Sequence, residues 1–429
     1  MKLSELSLSA LHELYDTLSH KYEQFRAQML NLDLTRGKPA SEQLDLSNEL
    51  DGILGGFYLL QDGTDVRNYG GIPGIPEARA LGGVFLGLPA NEVMVGGNSS
   101  LTWMYQYIEF MLRQSWQQQA GTSKVKFLCP VPGYDRHFTI CEHFGIEMIN
   151  VDTSEQGPDM GQVESLLESD PMIKGIWCVP KYSNPTGVTY SDEVVRRMAT
   201  LANKAGPDFK IMWDNAYAVH HINDEHDTLA NLMDIARENS TQDSIVMLAS
   251  TSKVTFAGAG ISFIGMAQNN LASFEAFLSV SQIGPDKVNQ LRHVRFLVDS
   301  EGVRKQMEKH KAIIRPKFQL TEQILSQHLG DKDIATWTRP NGGYFVSLDT
   351  QPGIAGKVVE MAAAVGVKLT PAGATFPYGN DPADRNIRIA PTYPPVSQLR
   401  QALEVFVVCL QLTTLHKIIG NLEDTETKP

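Results

Sequence analysis

A chain of 429 residues is too long for one small core and long enough for two domains. Hydrophobic residues make up 42% and charged residues 20%, ordinary for a globular protein, and a formal net charge of −12 argues against non-specific binding to nucleic acid or an acidic membrane surface. The four cysteines, Cys129, Cys141, Cys178 and Cys409, are scattered without a Cys-x-x-Cys pair, the usage of a reducing compartment. The first residues, MKLSELSLSALHELYDTL, lack the apolar core of a secretory signal, and no apolar stretch reads as a membrane span, so the cytoplasm is the expected location.

Apolar side chains at Leu8, Leu11, Leu14, Leu18, Tyr22, Phe25 and Met29 predict an amphipathic helix over 8–30, with Ser9 as a candidate cap. NLDLTRGKPA breaks it. From about 90 to 270, the short apolar runs EVMVGG, VKFLCP, GIWCVP, FKIMWD, IVMLAS and ISFIGM alternate with the helical patterns SLTWMYQYIEFMLRQSW, MGQVESLLES and DEVVRRMATLANKAG. Such alternation predicts an α/β domain with a largely parallel sheet. Around 285–328 the pattern becomes long and helical. TWTRPNGGYFVSLDT reads as a strand pair, 356–365 as a helix, NIRIAP as a strand, and the rest to about 420 as helix before a loose polar tail, NLEDTETKP. The expected division is 1–50, a helix and segment joining the small domain; 51–299, a large domain; and 300–429, a smaller α+β domain.

Ligands of parallel α/β sheets bind beyond the carboxyl ends of the strands. Here several runs end in polar groups: Asn98, Ser99 and Ser100; Pro132, Gly133 and Tyr134; Lys181 to Gly187, with Asn184; Asp214 to Tyr217; and Ser250 to Lys253. Each has a plain structural reading. Lys253 can be a solvated loop lysine, Asp214 and the serines helix caps, Asn184-Pro185 a turn, and Tyr134 and Tyr217 packing residues. Together, in this order, they fit pyridoxal 5'-phosphate. The helix N-terminus at Asn98 to Leu101 suits a phosphate, Asp214 a protonated pyridine nitrogen, Asn184 and Tyr217 the 3'-oxygen, Tyr134 the ring face, and Lys253 the aldehyde. No metal site is expected.

SNPTG, DNAY and STSK, with NYGGIPGIPEAR and NIRIAP, resemble the fold-type-I aminotransferases that use pyridoxal phosphate. LTRGKP and STSKVTFAGAG resemble a bacterial branch of aspartate aminotransferases. The resemblance covers roughly 30–410. It implies a large domain with a mostly parallel seven-stranded sheet, which binds the cofactor, plus the smaller domain. It also implies amino-acid and 2-oxo-acid substrates, L-aspartate and 2-oxoglutarate among them, exchanged by a ping-pong mechanism. Lys253 would carry the cofactor as an imine and shuttle protons. Asn98, Ser99, Ser100, Ser250 and Ser252 would line the phosphate site. Arg388 would clamp the substrate α-carboxylate, with Asn184 and Gly37 beside it. Tyr69 would reach the phosphate of a neighbouring subunit, so a homodimer with shared active sites is expected. One departure stands out: Ser262 lies near where such enzymes commonly place a phosphate-binding arginine. A distal carboxylate would need another cation, Arg36 by preference, or Lys38 or Lys181. Rival readings are an aromatic- or alanine-type aminotransferase or β-lyase on the same scaffold, and a ligand-sensing regulator. The regulator lacks room for a DNA-binding module. GGNSSL does not supply the G-x-G-x-x-G of a nicotinamide enzyme.

Overall fold

The computed structural model describes residues 2–426 except Arg36 and Pro207. A large sheet is built from β1 (Val93–Gly96), β2 (Lys126–Val131), β3 (Glu147–Ser154), β4 (Ile173–Cys178), β5 (Lys210–Asp214), β6 (Ile245–Ser250) and β7 (Ser262–Gly265). Their spatial order is β1-β7-β6-β5-β4-β2-β3, and a two-residue strand, Gly157–Pro158, extends the β3 edge. The sheet thus has the seven expected strands and a short eighth. β7 runs antiparallel to β1 and β6, while β6, β5, β4, β2 and β3 are mutually parallel. β3 is the one long strand that the apolar runs do not reveal. It lies toward the sheet edge and mixes Glu147, Asn150 and Asp152 with its apolar positions.

Residue alternation explains why these runs form strands buried on both faces. In β5, Ile211 and Trp213 pack into one core and Met212 into another; in β6, Ile245, Met247 and Ala249 face the first and Val246 and Leu248 the second. The first core includes the helix Pro76–Leu86, and the second the helix α2 (Ser100–Met111). Gly175 in β4 meets Phe127 of β2 in register, and a Cβ there would stand 2.3 Å from the phenyl ring.

A third core joins α1 (Leu8–Ala27) to the C-terminal part of the chain. It contains α5 (Ser300–Leu329), α6 (Val396–Glu426) and the antiparallel sheet of β8 (Ala335–Trp337), β9 (Val346–Thr350) and β10 (Asn386–Ile389). Four details differ from expectation. Ser7, not Ser9, caps α1, its side chain accepting from the Ala10 amide at 3.3 Å. The long helical pattern is two helices, α4 (Lys287–Leu297) and α5, because Val298 takes φ +60° and Asp299 caps the second by accepting from the Glu301 and Gly302 amides. The helix α6 continues through 421–426 instead of loosening, and Glu423 lies 3.4 Å from His12 of α1. Finally, α6 is long and apolar enough to cross a membrane by length and composition; most of that stretch is buried in the third core, where a core helix must be apolar all round. Residues 427–429 of the polar tail lie outside the described residues.

Gly175→Ala should destabilise the protein by roughly 1–3 kcal/mol, since Phe127 has no free space into which to move. A urea unfolding midpoint equal to that of the wild type would show that β2 and β4 part at little cost.

Candidate active site

The expected residues gather where β2, β4, β5 and β6 end, with β10 facing them. Asp214, the last residue of β5, is only 2% exposed. Its Oδ2 accepts from His137 Nε2 at 3.1 Å, while Oδ1 is buried without a partner. His137 lies on α3 (Asp135–Phe144) and is clamped by a stacked contact with Trp177 of β4, ring centres 4.3 Å apart and planes within 10°. Tyr134 meets His137 edge-on at 4.9 Å. A buried carboxylate with one oxygen unmet is costly unless a donor or cation arrives.

Lys253 follows β6 in a tight turn, half-buried, with Nζ 5.2 Å from the centre of the Tyr217 ring and 5.9 Å from that of Tyr344. Burial pulls its ammonium below the ordinary lysine value, opposed by the charge of Asp214. The turn is held from every side. The Thr251 hydroxyl accepts from the Ile261 amide at 2.9 Å. The Lys253 carbonyl faces His220 Nε2 at 3.4 Å. The Val254 carbonyl accepts from His310 Nε2 at 2.9 Å and Gln306 Nε2 at 3.1 Å. Thr255 Oγ1 lies 2.9 Å from His293 Nε2. His293 Nδ1 donates to the Asn289 carbonyl, and in the neutral ring Nε2 is left to accept from Thr255. Burial lowers both His293 and His310 to about 4, which makes them neutral supports near pH 7.

A cup of hydroxyls lies between this turn and α2. Ser250 Oγ donates to Ser252 Oγ at 3.0 Å, and Ser252 Oγ to the Asn98 carbonyl at 2.6 Å. Asn98 Nδ2 donates to the Ala257 carbonyl, and Ser99 caps α2 by accepting from the Leu101 amide. Ser100 opens the helix. Ser262, paired across the sheet with Gly96 and Ser250, presents a buried hydroxyl without a partner. The unmet oxygen of Asp214, the free amine and the hydroxyl-lined helix N-terminus are the three groups that pyridoxal phosphate requires, and they fit it.

Arg388 of β10 is 7% exposed and already engaged: Nη1 donates to Asp135 Oδ1 at 2.9 Å and Asn184 Oδ1 at 3.2 Å, and Nε to Thr370 Oγ1 at 3.4 Å. Phe345 lies over the guanidinium at 5.0 Å. Gly37 is pressed onto Phe345, where a Cβ would come within 2.4 Å. Of the distal-carboxylate candidates, Arg36 lies outside the described residues, Lys38 stands 4.0 Å over the Tyr393 ring, and Lys181 is buried beside Tyr182 with its ammonium pulled down by burial. Tyr69 stands apart from the site, 86% exposed, on a loop that the buried Lys287 ties down by donating to the Asn68 and Gly70 carbonyls. Sequence reasoning missed His137 and Asp135; the run GYDRH after β2 was their only signal, four polar or aromatic groups at a strand end where a helix opens.

Sheet and site together describe an α/β protein that brings a buried amine and a half-met carboxylate to one sheet edge. The family model for aspartate amino-transferase matches residues 6–422. A Mycolicibacterium smegmatis protein bearing an aminotransferase name is 48% identical over 96% of this chain and 97% of its own. An aspartate aminotransferase of Corynebacterium glutamicum is 42% identical over 96% of each chain. The crystal structure of an aspartate transaminase from Corynebacterium glutamicum superposes with a TM-score of 0.93 at 41% identity, covering 97% of this chain and 99% of that one. The chain belongs to the aspartate amino-transferase family and is an aminotransferase.

Below about pH 6.5 an unfolded histidine binds a proton that native His293 refuses until about pH 4. Its contribution to stability is thus full above pH 6.5 and is lost as the pH falls through 4, at about 1.4 kcal/mol per pH unit. His293→Gln should flatten the fall of the unfolding midpoint between pH 6.5 and 4; an unchanged slope would refute the neutral assignment.

Proposed function

We propose that this aminotransferase moves the amino group of L-aspartate to 2-oxoglutarate by a ping-pong mechanism, with pyridoxal 5'-phosphate held at Lys253. One juxtaposition carries the reading: an amine whose proton affinity burial lowers, beside a carboxylate whose Oδ1 is buried and unpartnered. The aspartate preference is supported by the relatives that bear that name. When bound, the cofactor supplies an electron sink that makes the substrate Cα–H acidic. Asp214 would keep a proton on the ring nitrogen through Oδ1, with His137 bracing the carboxylate from Oδ2. Asn184 and Tyr217 would donate to the 3'-oxygen, and Tyr134 would cover the ring. Asn98, Ser99, Ser100, Ser250 and Ser252 would hold the phosphate, and Ser262 has a spare hydroxyl where an arginine is common. Lys253 Nζ, uncharged at less cost than an exposed lysine, would take the Cα proton and return it one bond-pair away. Arg388 would grip the α-carboxylate in its two-pronged fork, and Arg36 the distal one.

The same reading makes the enzyme a cytoplasmic homodimer. Four free, buried cysteines suit a reducing compartment. The tethered but exposed Tyr69, with Ile283 exposed and Gly284 abutting Gly70, forms an apolar surface suited to an isologous interface. Tyr69 would then complete the partner's phosphate site.

Wild type should be yellow, be fixed to its cofactor by borohydride, and show its highest kcat/KM with aspartate among amino donors offered 2-oxoglutarate. Lys253→Ala should lose the pH-sensitive visible absorbance and the borohydride linkage; a variant that kept both would end the assignment of Lys253.

Refolding Tyr69→Ala together with Lys253→Ala should restore activity above the sum of the separate variants. Each mixed dimer would hold one site with both lesions and one with neither. Mixed dimers without recovered activity would confine Tyr69 to its own subunit.

A further inference from the structure

Arg388 is a buried cation that the chain itself has already neutralised, and the partner is unexpected. Asp135 is the first residue of α3, and its side chain is 35% exposed. Its carboxylate takes one Nη1 hydrogen of Arg388 at 2.9 Å, Asn184 takes the other at 3.2 Å, and Thr370 receives the Nε hydrogen at the longer 3.4 Å. Only the Nη2 edge carries no protein hydrogen bond among these contacts. A two-pronged grip on a carboxylate needs two adjacent nitrogens, either Nη1 with Nη2 or Nε with Nη2. The first choice evicts Asp135 or Asn184 from Nη1. The second gives up the Thr370 bond and leaves two carboxylates sharing one guanidinium. In both, the negative charge of Asp135 opposes the incoming one.

We propose that Asp135 is an internal competitor for Arg388: a carboxylate that neutralises the arginine while no substrate is bound and weakens ground-state binding of every amino-acid carboxylate. The inference rests on Arg388 as the α-carboxylate site. Asp135 has somewhere to go when displaced. It sits at the N-terminus of a ten-residue helix, where free amides favour a carboxylate, and it is open to water. Asn184, by contrast, is 4% exposed and a neutral acceptor, so it can share Arg388 with substrate without repulsion. An empty site with Arg388 unpaired would leave a buried cation uncompensated, which is far more costly than a pair whose carboxylate is partly exposed and can be displaced. Holding substrate less tightly also avoids binding energy that lowers KM without lowering the barrier to the chemistry.

Asp135→Asn and Asp135→Ser test this, since both residues are well accepted at helix N-termini. In the holoenzyme, KM for aspartate and for other amino donors should fall by roughly three- to tenfold, more than kcat changes, as expected for removal of one partly exposed charged contact. Calorimetric titration of the holoenzyme with succinate, the amino-free analogue of aspartate, should show Kd falling in the same ratio. In an Arg388→Gln background, Asp135→Asn should bring no further gain. If KM and Kd rise or stay level in both variants while Arg388→Gln raises KM, then Asp135 steadies Arg388 and does not compete with substrate; the proposal is then wrong and the role of Arg388 stands. If Arg388→Gln leaves KM unchanged for every donor, the carboxylate site is elsewhere and both ideas fall.

Discussion

A carboxylate carried to the end of a buried strand and left half-satisfied is the constraint around which the site is organised. Asp214 ends β5, with β4 and β6 on either side, so it cannot turn out to water as a surface aspartate would. His137 meets one oxygen and is fixed in place by Trp177. The other oxygen is unmet. Isolated, such a group costs about 1–3 kcal/mol or more, and proteins keep such costs chiefly where a ligand repays them. The sheet can bear it because its two apolar cores over-determine the position of β5.

Lys253 is the complement of that carboxylate, and it is placed by a different device. A charged side chain on a glycine-rich turn would ordinarily wander. Here the peptide groups and side chains of residues 251–255 are tied to Ile261 just before β7, to α4, to α5 and to the segment after β5. The amine therefore stays beneath the Tyr217 and Tyr344 rings, where desolvation weakens its charge. Two neutral, buried histidines serve as struts, each with one nitrogen donating to a carbonyl and the other accepting.

The Arg388 end of the site is assembled differently again. Arg388 comes from the smaller sheet and crosses to Asn184 and Asp135 at the ends of the larger one. The guanidinium is one of several links between the two separately cored parts of the chain, with Phe345 and Gly37 packed behind it. Charge balance at this junction is set by residues far apart in the chain, which local pattern does not report.

Strand-length apolar runs and their polar termini determined the α/β class and singled out five strand ends and the candidate residues Lys253, Asp214, Asn184, Tyr134 and Tyr217. Those features are local: residue alternation decides which positions are buried, and the residue just past a buried run has to lie at the sheet edge. Tertiary structure alone decided the rest. His137 and Asp135 sit on a helix whose face could be assigned only once it had packed beside β4 and β10. The edge strand β3 went unread because water on part of its length permits polar residues there. The cap of α1, the break at Val298 and the continuation of α6 past residue 420 each turned on a single backbone angle or one packing partner. An unmet oxygen, an engaged arginine and an amine whose charge burial disfavours are properties of distances between residues remote in sequence, and only folding brings those distances into being.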